Sequence, residues 1–124
     1  MAETITLFDK EFEPFISKEK IDKEINRVAQ EINTEFKGKK PLLVGILNGS
    51  VIFFAELLKK IDVECEIAFL RVSSYKGTQT TGNVKKVLGL DKNIKDSDVI
   101  IVEDIVDTGI TLEHIIEDLG NSNP

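Results

Sequence analysis

Residues 99–111 read VIIVEDIVDTGIT, and this run constrains the fold more than any other stretch of the chain. Four apolar residues, Val99 to Val102, are expected to form a buried strand within the segment 98–104. Two adjacent carboxylates, Glu103 and Asp104, stand at its C-terminal end, and a third follows at Asp107. Then come Thr108, Gly109, Ile110 and Thr111, where a helical pattern begins. A strand–loop–helix of this kind offers free backbone N–H groups and a helix N-terminus, which suit a phosphate. The acidic pair beside it would repel a phosphate; it suits sugar hydroxyls, or a magnesium ion bridging to them. Phosphate on one side and a diol on the other describe a ribose 5-phosphate.

The remainder of the chain supplies the framework for such a rim. Residues 1–16 read as an extended arm with a short strand near Thr4–Leu7. Ser17 is an N-cap residue, and Ile21, Ile25, Val28, Ala29, Ile32 and Phe36 recur at spacings of three and four, predicting a helix over 18–36 that Gly38 stops. Leu42–Leu47 is a continuous apolar run, as expected of a strand covered on both faces. A helix is expected over 50–60, a strand over Val63–Val72, a polar loop over 73–83 and a short return strand over Val84–Leu88. Residues 91–97 read as a polar turn, and residues 110–119 as a helix with Leu112, Ile115, Ile116 and Leu119 on one stripe. Strands alternating with helices predict an α/β fold, a three-layer α/β/α arrangement around a mainly parallel sheet. In such sheets ligands bind beyond the carboxyl ends of the strands. The loops at 48–50 and 103–111 both follow strand ends, so they belong to one rim.

Composition narrows the partners. A chain of 124 residues is long enough for one domain, and its net charge of −6 gives a nucleic acid no general electrostatic attraction. No apolar run approaches the roughly 20 residues that span a bilayer, and the N-terminus lacks the pattern of a signal peptide. No nucleic-acid or membrane partner is therefore expected, and the location is expected to be cytoplasmic. The single cysteine, Cys65, lies in an apolar-alternating stretch and reads as a core residue. His114 reads as a surface residue on the polar side of the last helix.

The acidic pair with D-T-G-I-T resembles the ribose-phosphate motif of the type I phosphoribosyltransferases, which use phosphoribosyl pyrophosphate (PRPP). Leu47-Asn48-Gly49-Ser50, continuing through Leu58, resembles the pyrophosphate loop and following helix of the hypoxanthine/guanine branch. Ser73-Ser74-Tyr75, with Thr81-Gly82, resembles that branch's mobile loop. The three matches fall in the family's order across residues 42–119.

The resemblance implies a purine phosphoribosyltransferase of nucleotide salvage. It would transfer 5-phosphoribosyl from PRPP to hypoxanthine or guanine and release pyrophosphate, with Mg2+ as cofactor and a homo-oligomeric assembly. Asp107 would be catalytic, accepting a proton from the purine nitrogen or stabilising the oxocarbenium-like state. Glu103 and Asp104 would contact the ribose hydroxyls and, through water, the metal. Residues 107–111 (Asp107, Thr108, Gly109, Ile110, Thr111) would cradle the 5′-phosphate, and Asn48 and Gly49 would give amides to pyrophosphate. Ser74 and Tyr75 would belong to the mobile loop. Two departures are evident: family members often carry lysine where this chain has Asn48 and where it has Ile110. The peptide before the first of these positions is often cis in the family. The resemblance further implies that residues 1–124 form one core domain, with 1–16 as an arm joining a hood, and that the core is incomplete and by itself inactive because family members continue with more strands and the base-binding hood. The alternative is a regulatory protein on the same fold that binds PRPP or nucleotide without turnover.

Overall fold

The computed structural model describes residues 4–74, 84–88, 93–105 and 109–124. A four-stranded sheet in the order β5-β4-β3-β6 lies between helices. Its central strand β3 (Leu42–Leu47) pairs in parallel with β4 (Glu66–Ser74) and with β6 (Val99–Val102). The strand β5 (Val84–Leu88) returns antiparallel along β4, with an irregularity between Arg71 and Val72. The fold is thus the expected three-layer α/β arrangement with a three-strand parallel centre.

Alternation along β3 divides the core. Leu43 packs with Ile25, Ala29 and Ile32 of α1 (Lys18–Glu35), Phe54 and Leu57 of α2 (Val51–Leu58), and Val102. Leu42, Val44 and Ile46 point to the other face, against Leu70, Ile94, and Ile115 and Leu119 of α3 (Ile110–Gly120). Burying each such aliphatic or aromatic side chain contributes about 1.5–3 kcal/mol, which is why the apolar run of β3 carries no polar residue. Gly45 makes the close approach of α2 possible, because a Cβ there would collide with the buried ring of Phe54.

The helix starts and stops follow local chemistry. The Ser17 hydroxyl accepts from the Lys20 N–H at 3.1 Å, capping α1 as its position predicts. The turn after α1 closes with the Lys39 N–H on the Phe36 carbonyl, and Gly38 adopts the positive φ of 79° that this turn needs. Cys65 is half-buried against the α1–α2 core, and His114 is exposed.

Four expectations are corrected. The arm forms a hairpin, β1 (Ile5–Leu7) with β2 (Lys10–Phe12), rather than a single strand. The strand expected over Val63–Val72 runs from Glu66 to Ser74, taking in the first two residues of the expected loop 73–83. Ile94, inside the polar turn at 91–97, is buried beneath α3. Ile116 is exposed, since the stripe of α3 that reaches the sheet carries Ile115 and Leu119.

Candidate functional site

The parallel register aligns Gly45 with Val102, so β3 and β6 end side by side and their C-terminal loops leave the sheet on one rim. This is where ligands bind in open α/β sheets. The loop after β3 contains a cis peptide between Leu47 and Asn48. Asn48 and Gly49 are exposed, and among the described residues no acceptor faces their backbone N–H groups. The Val51 N–H donates to the Asn48 carbonyl at 3.2 Å, folding the loop onto the start of α2.

The loop after β6 touches the first one. A Cβ placed on Gly49 would stand 2.7 Å from Oδ2 of Asp104, so the Asp104 carboxylate occupies the space a side chain at 49 would need. Glycine at 49 leaves room for the Asp104 carboxylate; its φ is not what favours it. The loops at 48–50 and 103–105 are therefore one surface.

The acidic pair is asymmetric. Glu103 is half-buried and accepts the Asp104 N–H at 2.9 Å, whereas Asp104 is exposed and accepts the Ile105 N–H at 2.8 Å. Burial, followed by the hydrogen bond and charge of Asp104, pushes the Glu103 carboxyl up to about 7. The hydrogen bond from Glu103 holds Asp104 below the usual carboxylate range. The pair thus shares a proton near neutral pH, the outcome expected when two carboxylates crowd one site. A cation, or the hydroxyls of a diol, would relieve that crowding. Among the described residues no group of three or more His, Cys, Asp or Glu side chains is arranged to hold a metal alone. Two carboxylate donors do fit magnesium, which keeps several waters and takes further oxygens from its substrate.

At the far end of the second loop, Gly109 caps α3 with φ 82° and ψ −7°, a left-handed conformation suited to glycine. No side chain caps this helix start, although the Glu113 N–H reaches the Gly109 carbonyl at 2.8 Å. Ile110 and Thr111 form the first turn of α3, where backbone N–H groups point outward. Asp107 and Thr108 lie outside the described residues, as does Tyr75, and Ser74 is the last residue of β4, paired with Val84. Of the expected site residues, the structure therefore brings Asn48 and Gly49 together with Asp104, beside Glu103.

Sequence reasoning missed two features. One is the role of Ser50, which is fully buried behind the loop and donates its hydroxyl to the Ile46 carbonyl. The other is a groove of about 910 Å³ between α1 and α2, floored by Ile21, Ile25, Val28 and Phe53 and reaching Asp104 at one end. The spacing of apolar residues in α1 signals a buried face, but it does not reveal that the N-terminal half of that face stays open.

The sequence profile of a family described as "Phosphoribosyl transferase domain" matches residues 16–124. A hypoxanthine-guanine phosphoribosyltransferase of Lactococcus lactis is 46% identical over 103 residues, covering 82% of this chain and 56% of that protein. The crystal structure of a hypoxanthine-guanine phosphoribosyltransferase from Bacillus anthracis superposes with a TM-score of 0.82 at 35% identity, covering 89% of this chain and 65% of that one. A Trypanosoma cruzi hypoxanthine phosphoribosyltransferase complexed with its product IMP superposes with a TM-score of 0.80 at 30% identity, covering 99% of this chain and 63% of that one. The chain thus spans about half the length of the relatives it matches in sequence.

Proposed function

The chain belongs to the phosphoribosyl transferase domain family, and on that footing we propose that it is the PRPP-binding core of a hypoxanthine/guanine phosphoribosyltransferase acting in purine salvage. Residues 1–124 form one core domain in this reading, with 1–16 as the arm of a hood. The activities of the relatives, and the IMP held by the Trypanosoma cruzi protein, support hypoxanthine or guanine as the acceptor base.

The observation that carries the reading is the contact of Gly49 with Asp104. It sets a loop with free amides, fit for one phosphate group, directly against a carboxylate pair fit for a diol. PRPP is a molecule with that alternation: a pyrophosphate on C1, adjacent 2- and 3-hydroxyls, and a 5-phosphate. Asn48 and Gly49 donate N–H groups to pyrophosphate, Glu103 and Asp104 accept from the ribose hydroxyls, and the start of α3 from Gly109 to Thr111, with Asp107 and Thr108, receives the 5-phosphate. With Asn48 in place of the family's frequent lysine, the loop holds its anion by backbone dipoles rather than by a formal charge.

In the transfer the C1–oxygen bond breaks and pyrophosphate leaves with the bonding pair. A purine nitrogen attacks C1 and loses its proton. Asp107 is the carboxylate assigned to this step, accepting that proton or stabilising the positive charge that develops on the ribose. Mg2+, bound through water to Glu103 and Asp104, would neutralise charge on the departing pyrophosphate. The acting form is proposed to be cytoplasmic and homo-oligomeric; among the described residues no helix is long and apolar enough to cross a membrane.

Calorimetric titration with PRPP tests the reading. Saturable binding that strengthens when Mg2+ is added is expected, and a chain that takes up no PRPP with or without Mg2+ contradicts it.

A further inference from the structure

Ser50 is the only polar side chain buried among the described residues, with no exposure at all. It stands at the N-cap position of α2, where a serine hydroxyl normally accepts a hydrogen bond from an N–H one turn ahead. It does not do so here. Its backbone is helical (φ −80°, ψ −4°), and its hydroxyl turns back to donate to the Ile46 carbonyl, the same oxygen its N–H approaches at 3.4 Å.

The ladder between β3 and β6 explains why that carbonyl needs a donor. The Leu42 N–H donates to the Asp98 carbonyl at 2.8 Å, which sets the phase of the parallel ladder: even-numbered residues of β3 direct both N–H and C=O toward β6. Continued past its last pair, Gly45 with Val102, the same pattern would give the Ile46 carbonyl the N–H of Asp104. That N–H is instead turned to the Glu103 carboxylate. Ile46 is buried, and apart from the hydroxyl its carbonyl has only the long approach of the Ser50 N–H at 3.4 Å, a weak pairing for a buried acceptor.

We propose that Ser50 is a positioning residue of the phosphate site: its hydroxyl takes, on the Ile46 carbonyl, the place of the Asp104 N–H. Two consequences follow from one hydrogen bond. The three residues between Ile46 and Ser50 are closed into a tight arch, which keeps the Asn48 and Gly49 amides on the rim. Strand β6 is also released from the ladder at Val102, so that Glu103 and Asp104 turn off the sheet and meet Gly49. Without the hydroxyl, the Asp104 N–H is the nearest alternative donor in the ladder, and recruiting it draws the acidic pair back into strand geometry. Ser50 touches no substrate in this role; it acts through Ile46. The inference rests on the reading of residues 47–49 as the pyrophosphate loop.

The test titrates inorganic pyrophosphate with Mg2+ into the chain by calorimetry, at a temperature well below unfolding. The Ser50→Ala variant is expected to bind about tenfold more weakly than wild type, the equivalent of one hydrogen bond's worth of positioning. Ser50→Cys, which keeps the shape and a weak donor, is expected to fall between them and stands in for the alanine variant if that one does not fold. Ile115→Val, in the core on the opposite face, is the stability control: its melting temperature falls while its pyrophosphate affinity stays at the wild-type value. Ser50 variants that melt lower but bind as wild type overturn the positioning role. A wild-type chain that binds no pyrophosphate overturns the loop reading itself, and the inference with it.

Discussion

The Asp104 carboxylate fills the space beside Gly49 that a β-carbon would take, at 2.7 Å from Oδ2. The two residues are 55 positions apart in sequence and sit on loops from adjacent parallel strands. The atom in the way is the end of an exposed, movable side chain. Gly49→Ala is therefore expected to leave stability within about 0.5 kcal/mol of wild type, as for surface substitutions. The displaced carboxylate is expected to weaken PRPP binding in the presence of Mg2+ by about tenfold. Thermal melts and calorimetry on the same variant separate the two effects; an affinity equal to wild type contradicts the contact's role.

Gly45 presents the opposite case. Its missing side chain is replaced by the ring of Phe54, which is itself 1% exposed and packs against Phe69 with ring centroids 5.4 Å apart. Nothing there can swing into solvent. Gly45→Ala is expected to cost about 1–3 kcal/mol by overpacking, and Gly45→Ala with Phe54→Leu to recover part of it. Urea denaturation of these two variants and of Phe54→Leu alone checks the sign: a double variant less stable than the sum of the two single changes contradicts the overpacking.

The shared proton of the acidic pair makes stability depend on pH. Glu103 loses its proton near its ordinary value of 4.5 when unfolded but only near about 7 when folded. Between those values the folded chain binds more protons, so stability falls as pH rises through that window. Asp104, lowered from 3.8, works the other way: it contributes stability that is lost only as pH falls below its ordinary range. Urea midpoints in metal-free buffer are expected to drop between pH 5 and pH 8, with a smaller drop in Glu103→Gln. The same drop in both proteins contradicts the assignment.

Asn33 ties α1 to the turn after α2. Its Nδ2 donates to the Lys60 carbonyl at 3.1 Å and its Oδ1 accepts the Asp62 N–H at 2.7 Å. Asn33→Ala leaves both backbone groups without that partner and is expected to cost about 1–3 kcal/mol, with no change in PRPP affinity. An unchanged urea midpoint would show that water replaces the amide at no cost.

The parts of the fold that were legible in the sequence are those in which a local pattern dictates the environment. The unbroken apolar run 42–47 marks the central strand, and Ser17 with the three-and-four spacing behind it defined α1; the similar run 99–102 marks a strand, but one at the sheet's edge, half-buried from Val99 to Ile101. The hairpin β1–β2 was not legible because its apolar residues, such as Phe8 at 94% exposed, alternate with charges and reach no core in this chain. The burial of Ile94 depends on where α3 lands, which no local pattern encodes. The same division holds at the site. That Asn48, Gly49, Glu103 and Asp104 stand on one rim could be read from their positions after the strand ends. The approach of Asp104 to Gly49 and the backward hydrogen bond of Ser50 arise from long-range register between β3 and β6, so only the structure supplies them.

In the proposed function the loops after β3 and β6 form one PRPP site. Following backbone amide resonances during titration with PRPP and Mg2+ measures this directly. The amides of Asn48 and Gly49 and those of Gly109, Ile110 and Thr111 are expected to shift together, along a single binding curve. Shifts confined to one of the two loops, or two curves with different midpoints, would contradict a shared site.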